Sequence, residues 1–170
     1  MRKEVLSEIA VIQGEVKLPK GYEINQDVII KDITEQYLFK KDFQFSKEWD
    51  RLNKYIIEYM NLNNFGVIVD MNTWGSIYLP NQGSQPLKEV DENNFRDSPY
   101  FTMLYGVKIL DDSCDIKIYY DDIKFKQKEY NFKLKTNHFI LFPSTLSYYI
   151  LPNNKTEKNY IQTITYDLRK

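Results

Sequence analysis

The stretch from Lys135 to Leu168, KTNHFILFPSTLSYYILPNNKTEKNYIQTITYDL, decides the fold of this chain. It contains three short apolar runs, His138 to Phe142, Tyr148 to Leu151 and Tyr160 to Leu168. Pro143-Ser144 separates the first two runs and Pro152-Asn153-Asn154 the last two, and such residues interrupt a strand and favour turns. Three strands joined by one tight and one longer turn are typical of the closing part of an antiparallel sandwich or barrel.

One amphipathic helix is predicted ahead of these strands. Ser46 can cap the first free backbone amides, and Glu48 suits the positive end of the helix dipole. The residues that then fall on one face at three- and four-residue spacing are Trp49, Leu52, Ile56, Tyr59 and Met60. The segment Asn61 to Gly66 ends the helix. We expect this helix to cover one face of a sheet.

The remaining apolar segments favour extended structure. The predicted strands are Glu4 to Val16, Asp27 to Ile33, Val67 to Trp74, Ser76 to Leu79, Phe101 to Leu110, Ile116 to Tyr120 and Glu129 to Leu134, and Tyr37 to Phe45 is also expected to be extended. Phe101 to Leu110 is long enough to need a bend, for which Gly106 is suited. Pro80 to Asp97 is a polar stretch of a length that usually marks a functional or mobile loop.

These patterns predict a mainly β protein, a double-stranded β-helix (jelly roll) of about eight antiparallel strands with one covering α-helix. A chain of 170 residues fits a single domain. Within it, residues 1–66 would form the N-terminal strands and the covering helix, and residues 67–170 the β-helix core.

Composition excludes several classes of function. The 23 basic and 24 acidic side chains leave no basic footprint for nucleic acid. No apolar run is long enough to span a membrane, and two acids interrupt the apolar N-terminal segment, so a secretory signal is not expected. A single cysteine, Cys114, excludes an internal disulfide and fits a reducing compartment. The expected location is therefore the cytoplasm.

The residue types that most often carry chemistry are sparse. His138 is the only histidine, and one histidine cannot build a two-histidine metal site. The thiolate of Cys114 is disfavoured by Asp112 and Asp115, so a turn residue is the simpler interpretation. Ser144 lies in a Pro-Ser turn, where its hydroxyl is expected to cap local backbone.

A group of aspartates brackets one predicted hairpin, namely Asp111, Asp112, Asp115, Asp121 and Asp122. Carboxylates of this kind can bind a hard cation. The group lacks the glycine and the terminal glutamate of a calcium loop, so solvated turns are the favoured interpretation.

The segment Phe139 to Leu146 (FILFPSTL), followed by Ile150 to Asn153 (ILPN), resembles the C-terminal strands of Fe(II)/2-oxoglutarate-dependent oxygenases. The resemblance is to the phage and bacterial branch related to prolyl hydroxylases. Asn72 to Pro86 is similar to the strand before the first metal ligands of that family. Phe101 to Leu110, followed by Ile116 to Tyr120, is similar to the hairpin that comes after those ligands.

The resemblance places the iron ligands of the family on residues of other types. The distal histidine falls on Tyr148, and the proximal pair on Leu87 and Glu89, or on Asp97 and Pro99 if the loop is placed differently. The strand expected to carry the arginine for oxoglutarate has none, only Lys158 at its start. A facial triad needs two imidazoles and one carboxylate. The resemblance therefore implies no catalytic residue, no metal and no cofactor, and a chain that is not an enzyme.

Three functions remain open from the sequence. The first is a structural or interaction subunit of a homo- or hetero-oligomeric assembly, with a phage neck or tail as the candidate virion component. The second is an active oxygenase with an atypical site built from Glu89, His138 and Tyr148. The third is a jelly roll that holds a small molecule in a barrel mouth lined by Trp74, Tyr105, Tyr119 and Tyr148.

Overall fold

The computed structural model of the chain describes residues 9–18, 20–21, 23–39, 45–63, 66, 68–110, 113–122, 124–153 and 155–168. This part contains eight strands, β1 Ile12–Glu15, β2 Ile68–Tyr78, β3 Phe101–Lys108, β4 Asp115–Asp121, β5 Gln127–Lys133, β6 His138–Pro143, β7 Ser147–Ile150 and β8 Asn159–Leu168. A five-stranded sheet has the order β1-β6-β3-β8-β2, and a three-stranded sheet has the order β5-β4-β7. The strand pairs within both sheets are antiparallel. The predicted mainly β, double-stranded β-helix fold is confirmed.

Successive side chains along the strands of the large sheet point to opposite faces and so belong to two separate hydrophobic cores. On β3, Met103 and Tyr105 point toward the helices, whereas Leu104 points toward the small sheet. The core between the sheets is formed by buried side chains of both, including Leu104, Ile116, Ile118, Ile140, Phe142, Tyr148, Ile150 and Ile161. The other face of the large sheet is covered by helices, so the sandwich has three layers.

The predicted helix is confirmed as α2, Lys47–Leu62. The hydroxyl of Ser46 accepts a hydrogen bond from the backbone amide of Trp49, as its capping role requires. Trp49, Leu52, Ile56 and Met60 are buried against the large sheet, and Tyr59 packs at their margin. Trp49 also donates from Nε1 to the hydroxyl of Thr73 on β2 at 2.7 Å, which fixes the helix to the sheet edge.

A second covering helix, α1 (Gln26–Phe39), replaces structure that was predicted to be extended. The predictions of a strand over Asp27 to Ile33 and of an extended segment over Tyr37 to Phe39 are wrong; residues 40–44 lie outside the described residues. β-Branched residues in DVIIKDI suggested a strand, but the buried positions, Ile29, Asp32 and Ile33, have helical spacing. Asn25 also accepts from the amide of Val28 through its side chain, which is a helix-capping contact.

The remaining strand predictions agree with the structure, with small changes of boundary. The segments predicted as two strands, Val67 to Trp74 and Ser76 to Leu79, correspond to one strand, β2, which runs over Ile68–Tyr78 with an irregular register between Asp70 and Asn72; residue 67 lies outside the described part. The bend predicted at Gly106 is present as a register shift between Gly106 and Lys108. A side chain at Gly106 would collide with the carbonyl oxygen of Lys135, so glycine is required there. Of the opening strand predicted over Glu4 to Val16, residues 12–15 form β1, and residues 4–8 lie outside the described part.

Gly75 sets how closely α1 approaches β2. A Cβ added at Gly75 would lie 2.4 Å from Cγ1 of Ile33, a contact that requires the helix to move. We expect Gly75→Ala to lower the free energy of unfolding by about 1–3 kcal/mol, the usual cost of overpacking. Urea denaturation followed by circular dichroism measures this.

The double variant Gly75→Ala/Ile33→Ala is the control for this interpretation. Removal of the Ile33 branches makes room for the new methyl group, so the two changes should cost less together than the sum of each alone. Additive losses would contradict the contact.

Candidate functional site

The segment between β2 and β3 pairs with strand β7 of the small sheet through an isolated antiparallel bridge between Leu87 and Tyr148. The backbone amide of Leu87 donates to the carbonyl of Tyr148, and the amide of Tyr148 donates to the carbonyl of Leu87, both at 2.9 Å. Further along, the amide of Ser84 donates to the carbonyl of Ile150 at 2.8 Å, and the hydroxyl of Ser84 accepts from the amide of Ile150. This pairing brings Leu87 and Glu89 beside Tyr148 at one end of the sandwich.

Glu89 and Tyr148 form a hydrogen-bonded pair at that end. The phenol of Tyr148 donates to Oε1 of Glu89 at 2.7 Å. Tyr148 is 1% exposed and meets the ring of Phe142 edge to face at 5.2 Å, whereas Glu89 is half-buried. Burial, and next the charge of Glu89, raise the pKa of Tyr148 well above its ordinary value. Tyr148 therefore stays a neutral donor to Glu89 throughout the physiological pH range.

Tyr78 is a third titratable residue of this interior. It lies at the end of β2, packed against the core between the sheets. Burial raises the pKa of Tyr78 to about 12, against a hydrogen bond from Ser76 that favours the ionised form. The interior around Tyr148 and Tyr78 is thus lined by phenols that remain protonated.

The residues at this position do not fit the iron site of the resembled family. Leu87 offers no donor atom, and the phenol of Tyr148 is already committed to Glu89, which leaves one carboxylate. Among the described residues, no group of three or more His, Cys, Asp or Glu side chains is placed to hold a metal ion. Lys158, the only basic residue found at the start of the strand expected to carry the oxoglutarate arginine, is exposed. These side chains therefore do not form the two-imidazole, one-carboxylate iron site of that family.

His138 is not part of this end. It begins β6, where it pairs with Glu15, and its Nδ1 lies 3.0 Å from the carbonyl oxygen of Thr136. Tyr148 lies beyond the other end of β6, after the turn that follows Pro143. The predicted combination of Glu89, His138 and Tyr148 is therefore wrong, because strand β6 separates the histidine from the other two.

The predicted aromatic barrel mouth is also wrong. Tyr105 faces the helices, where its hydroxyl donates to the side chain of Asn137 at 3.0 Å. Tyr119 lies on the outer face of the small sheet, because Ile116 and Ile118 point inward, and it meets Tyr149 there. The alternation of side chains along each strand did not show which side of the strand points inward. The irregular segments that bound each strand determine that side. Trp74 and Tyr148 therefore line no common mouth with Tyr105 and Tyr119.

The remaining candidates have structural roles. Cys114 is buried between the sheets rather than in an exposed turn, and burial raises the pKa of its thiol to about 12. Asp122 accepts the backbone amides of Lys124 and Lys126 and so closes its own turn, while Asp111 and Asp112 lie outside the described residues. The hydroxyl of Ser144 lies 2.7 Å from that of Thr102 in the interior, instead of capping the local turn.

The sequence did not predict a groove that is lined in part by Val90, the residue that follows Glu89. Its volume is about 630 Å³, and it is lined by Val69, Val90, Phe95, Arg96, Asp97, Ser98, Pro99, Tyr100, Pro143, Thr145, Asp167 and Leu168. Phe95 and Tyr100 stand on it with 61% and 50% of their surface exposed. We call it the Phe95 groove. Phe95 within the long polar loop and Tyr100 shortly after it were the sequence signal that could have indicated the groove.

The loop that forms the Phe95 groove is held by its own hydrogen bonds. Ser98 is buried, accepts from the amide of Asp91 and donates to the carbonyl of Asn94, both at 2.9 Å. The amide of Tyr100 donates to the carbonyl of Tyr166, and the amide of Ser144 to the carbonyl of Tyr100. Asp97 and Pro99, the second placement considered for metal ligands, line this groove and not the interior.

Comparison with solved structures assigns the fold. A Pseudomonas putida prolyl-4-hydroxylase matches with a TM-score of 0.65 at 12% identity, over 94% of this chain and 88% of that one. A viral collagen prolyl hydroxylase from Paramecium bursaria Chlorella virus-1, solved as a 2-oxoglutarate complex, matches with a TM-score of 0.65 at 15% identity, over 94% and 96%. This chain has the fold of the 2-oxoglutarate oxygenases.

A third structure with this fold holds a peptide. It is a Trichoplax adhaerens prolyl hydroxylase in complex with a peptide fragment of the oxygen degradation domain of hypoxia inducible factor, with a TM-score of 0.63 at 11% identity, over 92% of this chain and 83% of that one. No protein-family model matches the sequence, and no curated protein matches it.

These matches correct one prediction from the sequence. The chain was predicted not to be an enzyme because the ligand histidines and the oxoglutarate arginine are missing, but the three structures described above that share its fold are prolyl hydroxylases. The fold is an enzyme fold, and that prediction is wrong.

Within the described residues, neither helix is long and apolar enough to cross a membrane.

The Glu89–Tyr148 hydrogen bond predicts a specific pattern of stability. We expect Tyr148→Phe to lower the free energy of unfolding by about 1 kcal/mol near neutral pH, and Glu89→Gln to cost less, because glutamine keeps an acceptor for the phenol. The folded pKa of Tyr148 lies above the unfolded value of about 10, so its contribution is complete below that pH and is lost above it.

Denaturation at a series of pH values tests this pattern. The difference in unfolding free energy between the wild type and Tyr148→Phe should shrink as the pH rises above about 10. An equal loss for both variants, or a difference that grows at alkaline pH, would contradict the hydrogen bond.

Proposed function

We propose that this chain acts by binding another polypeptide at the end of the sandwich that carries Glu89 and Tyr148, as an interaction subunit of a larger homo- or hetero-oligomeric assembly. The observation that carries the proposal is the Phe95 groove, a preformed surface with two exposed aromatic side chains. A virion, with a phage neck or tail as the location, is the candidate assembly, and it rests on the resemblance to the phage and bacterial branch alone.

The chemistry of the groove suits a polypeptide. Buried Val90 and Ser98 form its floor, and Phe95 and Tyr100 supply large contact area at the cost of few torsions. Arg96 and Asp167 place one positive and one negative side chain along the groove, which suits a polypeptide that carries side chains of both charges. In the similar Trichoplax adhaerens hydroxylase, the bound molecule is a peptide fragment. The proposal concerns this surface and holds whether or not a reaction takes place beside it.

The test is isolation of the chain from its native source, with light scattering and cross-linking to locate the contact. We expect a complex larger than the 20.4 kDa chain, with cross-links that involve residues 90–100 and 143–145. Phe95→Ser/Tyr100→Ser should release the partner. Leu62→Ser, which removes an exposed apolar side chain at the end of α2, should retain it.

A monomer without a partner would contradict the proposal. Cross-links confined to other faces would contradict the location. Neighbouring virion proteins in the complex would support the candidate assembly.

The second candidate is a reaction at this same end, favoured by the prolyl hydroxylases among the matching structures. We propose that Leu87, Glu89 and Tyr148 stand where that family places its metal ligands, so Glu89 would be the one carboxylate available. Succinate release from 2-oxoglutarate with added Fe(II) measures such a reaction. For this candidate, we expect release by the wild type to be lost in Glu89→Gln.

Leu87→His/Tyr148→His is the matched control, because it supplies two imidazoles beside Glu89. We expect this variant to bind Co(II), with visible absorption that Glu89→Gln removes. Failure to bind would contradict the placement of the three residues, and wild-type release that survives Glu89→Gln would exclude Glu89 from the reaction.

A further inference from the structure

A second groove lies on the other side of the turn between β6 and β7. It has a volume of about 900 Å³ and is lined by Ile9, Val11, Ile118, Tyr120, Asp121, Asp122, Phe125, Tyr130 and Leu146. Ile118 and Leu146 are buried at its base, and Phe125 at the tip of the β4–β5 hairpin is 89% exposed. We call it the Phe125 groove. Seven of its nine lining residues are apolar or aromatic, so a molecule that covered this surface would be stabilised by removing it from water.

Phe125 is held in an unfavourable backbone conformation. Its φ is 56°, in the left-handed region that bulky residues rarely adopt. The turn imposes this conformation, since the amide of Phe125 donates to the carbonyl of Asp122 and the amide of Asp122 to the carbonyl of Lys126. The carboxylate of Asp122 accepts the amides of Lys124 and Lys126 as well. A strained aromatic that contributes almost no burial to the fold suggests a role outside it.

The charge on the groove restricts what it can hold. Asp121 and Asp122 are the charged residues among its lining, and both are acidic. Asp122 closes its own turn, which leaves Asp121 exposed at the end of β4. Lys124 and Lys126 belong to the same turn but do not line the groove. A segment with an apolar side chain next to a lysine or arginine would match both the apolar base and the carboxylate.

We propose that the Phe125 groove binds an extended segment of a partner protein in which an apolar side chain neighbours a basic one. The inference rests on the proposed function and adds the chemistry of the partner. Phe125 would act as the aromatic anchor, and Asp121 would select the basic residue. Together with the Phe95 groove, it gives the partner contact on both sides of the Pro143–Leu146 turn.

Fluorescence anisotropy with labelled synthetic peptides of about eight residues, roughly 26 Å when extended, tests the proposal. Three sets of peptides are compared. The first places an apolar side chain beside Lys or Arg, the second places an apolar side chain beside Glu, and the third places a polar side chain beside Lys or Arg. We expect the apolar-basic set to bind the full-length chain about tenfold or more tightly than either of the others.

Phe125→Asn is the decisive variant. Asparagine tolerates the left-handed region, so this variant should melt no lower than the wild type, while losing affinity for the apolar-basic set by about tenfold. Leu62→Asn, at an α2 position that is 83% exposed, is the matched control and should bind normally. Asp121→Asn should reduce the preference for basic over acidic peptides.

Equal binding of all three sets, or unchanged affinity in Phe125→Asn, would overturn the proposal. Light scattering of the wild type alone tests a second copy as the occupant. A concentration-dependent dimer that Phe125→Asn dissolves would also overturn it. A native complex that survives Phe125→Asn would leave the proposed function standing and this inference refuted, whereas peptide binding without a native complex would do the reverse.

Discussion

The reciprocal pair of backbone hydrogen bonds between Leu87 and Tyr148 organises the functional end of this molecule. It is the isolated bridge through which the irregular segment after β2 pairs with strand β7 of the small sheet. Because side chains alternate along an extended segment, pairing at Leu87 also determines where Glu89 lies, two residues further on the same face. Glu89 then meets the phenol of Tyr148, and the chain beyond it turns to build the Phe95 groove. One register thus positions the interior pair and the outer surface.

The Glu89–Tyr148 pair gives this end a chemistry that differs from a metal site. A buried phenol needs a partner for its proton, and a half-buried carboxylate is a strong acceptor. The pair satisfies both groups without a cation, and it keeps Tyr148 neutral. The surrounding fold is nevertheless one that enzymes use, and three prolyl hydroxylases share it over more than nine tenths of this chain. The polypeptide-binding surface that we propose lies beside this pair.

The sequence predicted the sheets well and the helices in part, for physical reasons. The closing strands β6, β7 and β8 could be predicted because proline interrupts the ladder and apolar runs lie between the breaks. Helix α1 was missed because Val28, Ile29 and Ile30 suggested a strand, although Asn25 and the Ile29–Ile33 spacing carried the helical signal. At the site, the resemblance brought Leu87, Glu89 and Tyr148 to attention. The two grooves could not be predicted, since they depend on how loops pack and on the backbone angle of Phe125.

Amide hydrogen exchange at Leu87 and Tyr148, resolved by nuclear magnetic resonance, tests the central pairing most directly. Each amide is an internal donor, so both should exchange far more slowly than the amides of the exposed residues 156–158, and their rates should agree with each other. A nuclear Overhauser contact between the two residues should accompany the protection. Exchange of the Leu87 amide at the rate of an open loop, with Tyr148 protected or not, would contradict the account.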